Sequence, residues 1–89
     1  MSDLSELSEI LSCINKPEEI QRFFDEILTD KEKKDIILRW ELMKMLEKGV
    51  PQRTIASELG ISLCKITRGS KIIKSEGSVI GRILKEILK

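Results

Sequence analysis

The 89-residue chain contains no histidine, and its two cysteines, Cys13 and Cys64, stand far apart in neither a metal-ligand nor a redox spacing. A zinc site and a disulfide framework are therefore unsupported, and a reducing, cytoplasmic setting is expected. With no imidazole, no metal cluster and no carboxylates that the sequence pattern pairs, nothing supplies general acid–base chemistry, and the chain is not expected to be an enzyme. The start, MSDLSELSEI, lacks the basic opening and unbroken apolar run of a signal peptide. No apolar stretch approaches the ~20 residues that span a bilayer, so no membrane partner is expected. Strand alternation, internal repeats, low-complexity tracts and long linkers are also missing.

What is present reads as helices. Leu4, Leu7, Leu11 and Ile14 recur at helical spacing, and Asn15-Lys16-Pro17 breaks that run, with Pro17 suited to the first turn of the next helix. Ile20, Phe23, Phe24, Ile27 and Leu28 then mark one apolar face of a second helix. Thr29-Asp30-Lys31-Glu32 matches a capping box, in which the threonine serves a free amide and the glutamate reaches back to it. It opens a third helix from about Lys31 to Lys48, stopped by Gly49. A short helix from Gln52 to Leu59, another over residues 63 to 74 and a last one after Ser78 complete the set.

The third helix is apolar nearly all the way round, through Ile36, Ile37, Leu38, Trp40, Leu42, Met43, Met45 and Leu46. Such a helix is buried on every side. So short a chain buries only a modest part of its surface alone and has too few elements to surround one helix. A second copy is expected to cover the remainder, and Trp40 is read as core rather than site.

Charge is unevenly placed. Net charge is +1, yet residues 1 to 35 hold ten acidic and five basic residues, whereas residues 36 to 89 hold five acidic and eleven basic ones. The second half is thus suited to a polyanion. Within it, residues 52 to 74, QRTIASELGISLCKITRGSKIIK, have the anatomy of a helix-turn-helix. Ile55 and Leu59 give the first helix a buried face, Ala56 is small where helices cross, Gly60 ends it and Ser62 can cap the second. Projected at about 100° per residue, Cys64, Thr67, Arg68, Lys71 and Lys74 form one stripe, with Leu63, Ile66, Ser70 and Ile73 opposite. A basic and hydroxylic stripe suits phosphate and base-edge contacts in a major groove. The plainer alternative is a helical hairpin with a solvated face. Gly69, inside the second helix, should cost about 1 kcal/mol relative to alanine and needs a reason.

The run ITRGS with Lys74 after it, preceded by QR at Gln52-Arg53 and ELG at residues 58 to 60, resembles the bacterial tryptophan repressor family. LTDKE before the third helix, Arg39 within it and LEKG at its end also fit that pattern, so the resemblance covers roughly residues 24 to 74. It implies an all-α fold of about six helices forming an intertwined homodimer. In those terms residues 1 to 89 are a single domain: core dimerisation helices over 1 to 48, the helix-turn-helix over 52 to 74 and a C-terminal dimerisation helix over 78 to 89.

The same resemblance implies a cytoplasmic, tryptophan-dependent repressor that binds double-stranded, palindromic operator DNA. L-tryptophan, the corepressor, would lie between Arg39 and Arg68, whose guanidinium planes stack on an indole face. Arg68 would also pair with its carboxylate. The ammonium group would meet carbonyls of the other subunit around Glu26 and Leu28, with Thr29 close by. Gly69 would then form a pocket wall; the alternative is close packing of Gly69 against a neighbouring helix.

Toward DNA, the resemblance gives Gln52 and Arg53 a phosphate and a guanine edge, and Leu63, Cys64 and Thr67 the bases. Lys65, Lys71 and Lys74 would meet phosphates, which set register without reading sequence. Cys64 is read as a small groove-facing side chain rather than a redox switch. There are departures: Ala56 stands where the family often has lysine, Lys65 replaces a threonine, and Ile72 replaces a serine that commonly helps hold the ligand amino group. One residue is also missing from the Gly49 to Gln52 turn. Two other functions stay open: a regulator of the same shape that needs no ligand or takes another, and a scaffold dimer without a DNA role.

Overall fold

The computed structural model describes residues 3–88 and contains six α-helices and no strand among them. They are α1 (Leu4–Ser12), α2 (Pro17–Ile27), α3 (Asp30–Glu47), α4 (Gln52–Leu59), α5 (Leu63–Lys74) and α6 (Val79–Ile87). The all-α expectation and the positions of all six helices hold. The chain divides into two compact units, with the boundary between Asp35 and Ile36 inside α3.

Local chemistry sets the helix starts in the first unit. The Asp3 carboxylate accepts from the Ser5 and Glu6 amides at 3.0 and 3.2 Å and so caps α1. Pro17 occupies the first turn of α2, where its missing N–H costs nothing. The capping box forms reciprocally at α3: the Glu32 amide donates to Thr29 Oγ1 at 3.1 Å, and the Thr29 amide donates to Glu32 Oε1 at 2.8 Å. Lys33 ties the end of α2 to this start by pairing with Asp25 and Asp30, each at 3.3 Å. Yet neither α1 nor α2 buries a single residue. Leu4, Phe24 and Ile27 remain exposed, Leu4 at 78%.

The second unit has a core. Leu42 of α3, Ile55 of α4 and Ile66 of α5 pack together, the two isoleucines fully buried, with Met45, Leu46, Val50, Ala56, Leu59 and Ile61 around them. Gly60 makes the corner between α4 and α5. Its φ of 64° is left-handed, which a β-carbon disfavours, and its amide and that of Ile61 both donate to the Ala56 carbonyl. Ser62 then accepts from the Lys65 amide at 3.4 Å and starts α5. Ile61 just before the cap and Ile66 in the next turn both belong to the core, a hydrophobic staple that sets the angle of entry.

Beyond the 75 to 78 turn, the Ser78 hydroxyl accepts from the Gly81 amide at 3.0 Å and caps α6. Leu84 is fully buried there. α6 approaches the end of α5 so closely that a β-carbon on Gly81 would stand 2.7 Å from the Ile73 carbonyl oxygen.

Candidate nucleic-acid interface and ligand-binding arginines

Burial sorts α5 into two faces. Ile66, Gly69 and Ser70 are buried, whereas Leu63, Cys64, Lys65, Thr67, Arg68, Lys71 and Lys74 are exposed. Residues three and four apart share a helix face, so the exposed set forms one continuous surface. Gln52 and Arg53, at the start of α4, are exposed as well. Of the four residues expected on the apolar stripe, Leu63 departs: it stands 50% exposed in the first turn.

The cations of this surface are held by no ion pair among the described residues. Among the described residues the ion pairs are Lys33 with Asp25 and Asp30, and Lys44 with Glu41 at 2.8 Å. None engages Arg53, Lys65, Arg68, Lys71 or Lys74. Lys74 does share a groove with Glu47, Glu76 and Glu86, and exposed cations of this kind suit a polyanion. Two carboxyls elsewhere are tuned by local bonds: hydrogen bonds from Thr29 hold the Glu32 carboxyl below its usual range, and Lys44 does the same for Glu41.

Gly69 has a structural reason. The space its β-carbon would take is faced by Leu46 Cδ1 at 3.2 Å, Leu42 Cδ2 at 3.4 Å and Met43 Sδ at 3.5 Å, so α5 crosses close to α3 there. This is the crossing that the packing alternative expects, with its tightest contact on the movable end of Leu46, and the pocket-wall role stays open beside it. Arg68 is the neighbour of Gly69, while Arg39 lies one turn before Leu42 and Met43 on α3, and both side chains are exposed. Ile72 is half-buried.

Glu26, Leu28 and Thr29 belong to the first unit and are described there only. The carbonyl of Glu26, in the last turn of α2, and that of Leu28, just after it, lie beyond the reach of any later amide of that helix. Both the Thr29 amide and its hydroxyl are engaged in the capping box.

One feature escaped the sequence pattern. An open groove of about 950 Å³ runs between the end of α3, the 75 to 78 turn and α6. Lys74, Arg82 and Lys85 line it against Glu47, Glu76 and Glu86, and neither Arg39 nor Arg68 does. It forms only because α6 folds back along α5, a tertiary event without a local signal.

A family model described as Trp repressor protein matches residues 2–88. The chain belongs to the Trp repressor family. This is a family of transcriptional regulators rather than an enzyme class, and the match extends beyond the span recognisable from motifs alone, into α1 and α6. A Trp operon repressor homolog of Chlamydia trachomatis serovar D is 35% identical over 66 residues, covering 73% of this chain and 70% of that protein. The homolog of Chlamydia caviae is 35% identical over 82 residues, 91% of this chain and 77% of that protein. The homolog of Actinobacillus succinogenes is 37% identical over 67 residues, 74% of this chain and 66% of that protein. No solved structure gives a significant match. Among the described residues, no helix of this Trp repressor family member is long and apolar enough to cross a membrane.

Proposed function

We propose that this Trp repressor family member is a tryptophan-dependent, sequence-specific DNA-binding repressor that acts in the cytoplasm as a homodimer on a palindromic operator. The observation that carries the reading is the exposed face of α5, with Arg53 at the head of α4: five cations without partners on a helix-turn-helix whose other face is locked into the core. Affinity comes from these groups against phosphates, and register from both helices together.

Dimerisation is supported by the apolar surface that one chain leaves uncovered. Ile36, Ile37 and Trp40 on α3, Phe24 and Ile27 on α2, and Val79, Ile83 and Ile87 on α6 are all exposed. In helix-turn-helix dimers, the Trp repressor among them, two reading helices enter major grooves about 10 base pairs apart, so the operator mirrors the two-fold symmetry of the protein. Tryptophan, held between Arg39 and Arg68, fixes the separation of the reading heads. Its carboxylate pairs with Arg68, and its ammonium group meets the free carbonyls at the end of α2 of the second chain.

A second reading, a regulator of the same shape that needs no ligand or takes another, is favoured by two features: Gly69 packs on α3, and Ile72 offers no hydroxyl to an ammonium group. Calorimetric titration of the purified protein with each amino acid separates the two, because it requires no knowledge of the operator and avoids the fluorescence of Trp40. Heat released with tryptophan and lost in Arg39→Ala supports gating by tryptophan; silence with every amino acid, alongside retained DNA retardation, supports the second reading.

A further inference from the structure

Within the first unit, Leu28 and Thr29 alone connect α2 to α3, and α2 buries no residue that could fix the angle between them. Each helix end is closed on itself. The Leu28 amide donates to the Phe24 carbonyl at 2.9 Å and ends α2, while Thr29 and Glu32 exchange hydrogen bonds and start α3. Because the Thr29 amide is taken by the Glu32 carboxylate, it does not turn back to α2. The carbonyls of Glu26 and Leu28 receive no donor among the described residues.

One side chain crosses this junction. Lys33, near the start of α3, reaches back to Asp25 in the last turn of α2 at 3.3 Å and holds Asp30 at the same distance. Among the described residues it makes the one side-chain hydrogen bond between the two helices. The other lysines of residues 3–35 are exposed, whereas the Lys33 side chain is partly covered. The last turn of α2 has no basic residue of its own, so Lys33 also supplies the cation that a helix C-terminus favours.

A junction bridged by a single contact changes angle when that contact is lost, and the free carbonyls move with it. We infer that Lys33 is a positioning residue for ligand binding: by pairing with Asp25 it holds the Glu26 and Leu28 carbonyls where they receive the ammonium group of tryptophan. Its own ammonium group is occupied by the two carboxylates. This rests on the tryptophan reading above and adds to it the residue that presents the ammonium acceptors. A ligand whose site is correctly formed only part of the time binds more weakly by that fraction. Loosening the junction therefore weakens a ligand with an ammonium group and spares one without it.

Calorimetry of the full chain with L-tryptophan, and with indole-3-propionate, which is tryptophan without its ammonium group, provides the test. Lys33→Met and Asp25→Asn shift the local charge in opposite directions yet break the same contact. Both are expected to weaken tryptophan about threefold, within the range an exposed ion pair contributes. The double variant should lose no more than either single one, since the two residues act through one contact. Lys33→Arg should restore binding, and indole-3-propionate should bind every variant equally. If indole-3-propionate releases no heat, the common direction of the two single variants decides. Oligomeric mass and helical content should be unchanged throughout.

Tighter binding by Lys33→Met beside weaker binding by Asp25→Asn would show an effect of charge alone and overturn the inference. So would additive losses, equal losses for indole-3-propionate, no loss at all, or a change of mass or helicity in both single variants. Each of these leaves the tryptophan reading standing. Silence of the unaltered protein with tryptophan removes that reading and the inference together.

Discussion

A methyl group added at Gly81 would meet the Ile73 carbonyl oxygen at 2.7 Å, a backbone atom that cannot step aside without moving α5. The same group at Gly69 would meet Leu46 Cδ1 at 3.2 Å, the end of a side chain with rotamers to spare. Opposite outcomes follow. Gly81→Ala should destabilise by about 1–3 kcal/mol through overpacking. Gly69→Ala should come out near neutral, because alanine recovers up to about 1 kcal/mol of helix propensity against a small displacement of Leu46. Thermal unfolding at one fixed protein concentration reads both, the fixed concentration being needed because a dimer melts in a concentration-dependent way. Gly69→Ala, if folded, also separates packing from ligand access: a variant with unchanged stability that no longer takes up tryptophan would restore the pocket-wall role.

The start of α3 is the element whose energetics are most exposed to test. Thr29→Ala removes the hydroxyl that accepts from the Glu32 amide and should cost about 1 kcal/mol. The reciprocal bond makes the same cap pH-sensitive. Hydrogen bonds from Thr29 lower the Glu32 carboxyl in the folded state, and those from Ser5 and the Glu6 amide lower Asp3. A group depressed on folding contributes stability above its unfolded value and loses that contribution as pH falls through its folded value. Acid titration of thermal stability should therefore decline from the ordinary carboxylate range downward, and Glu32→Gln should flatten part of that decline. No flattening would mean the capping carboxylate is not held in solution. This cap was legible in the sequence because all its partners lie within four residues. So were Pro17, Gly60 and Ser62, for the same reason. The reason for Gly69 was not legible, since it is set by Leu42, Met43 and Leu46 more than twenty residues earlier. Leu63 was ambiguous for a related cause: helical projection alone put it with the apolar stripe, and only the staple formed by Ile61 and Ile66 shows that the core is complete without it.

For the whole molecule, the absence of any buried residue in α1 and α2 is the governing fact, because helices of 9 and 11 residues are marginal in water without tertiary burial. If a second chain covers them and α3, Ile37→Glu, which puts a charge at a side chain now 65% exposed, should abolish the dimer and reduce helicity together. Sedimentation that still shows a dimer of full helical content would contradict the proposed interface. DNA binding then carries a quantitative expectation. Arg53, Lys65, Arg68, Lys71 and Lys74, taken twice in a dimer, give a slope of log affinity on log salt of about −9 if all reach phosphate. Lys74→Ala removes two such contacts and should bring the slope to about −7, with weakening spread evenly over different sequences. Arg68→Ala should abolish retardation, since that arginine serves both ligand and duplex. Arg39→Ala should leave the salt slope unchanged at saturating tryptophan while raising the tryptophan concentration required, because it belongs to α3 rather than to the helix-turn-helix. By reciprocity the operator must tighten tryptophan binding by the factor that tryptophan tightens operator binding. An Arg39→Ala protein whose salt slope shifts by itself, as that of Lys74→Ala does, would place that arginine on the duplex and remove the division between ligand clamp and reading head.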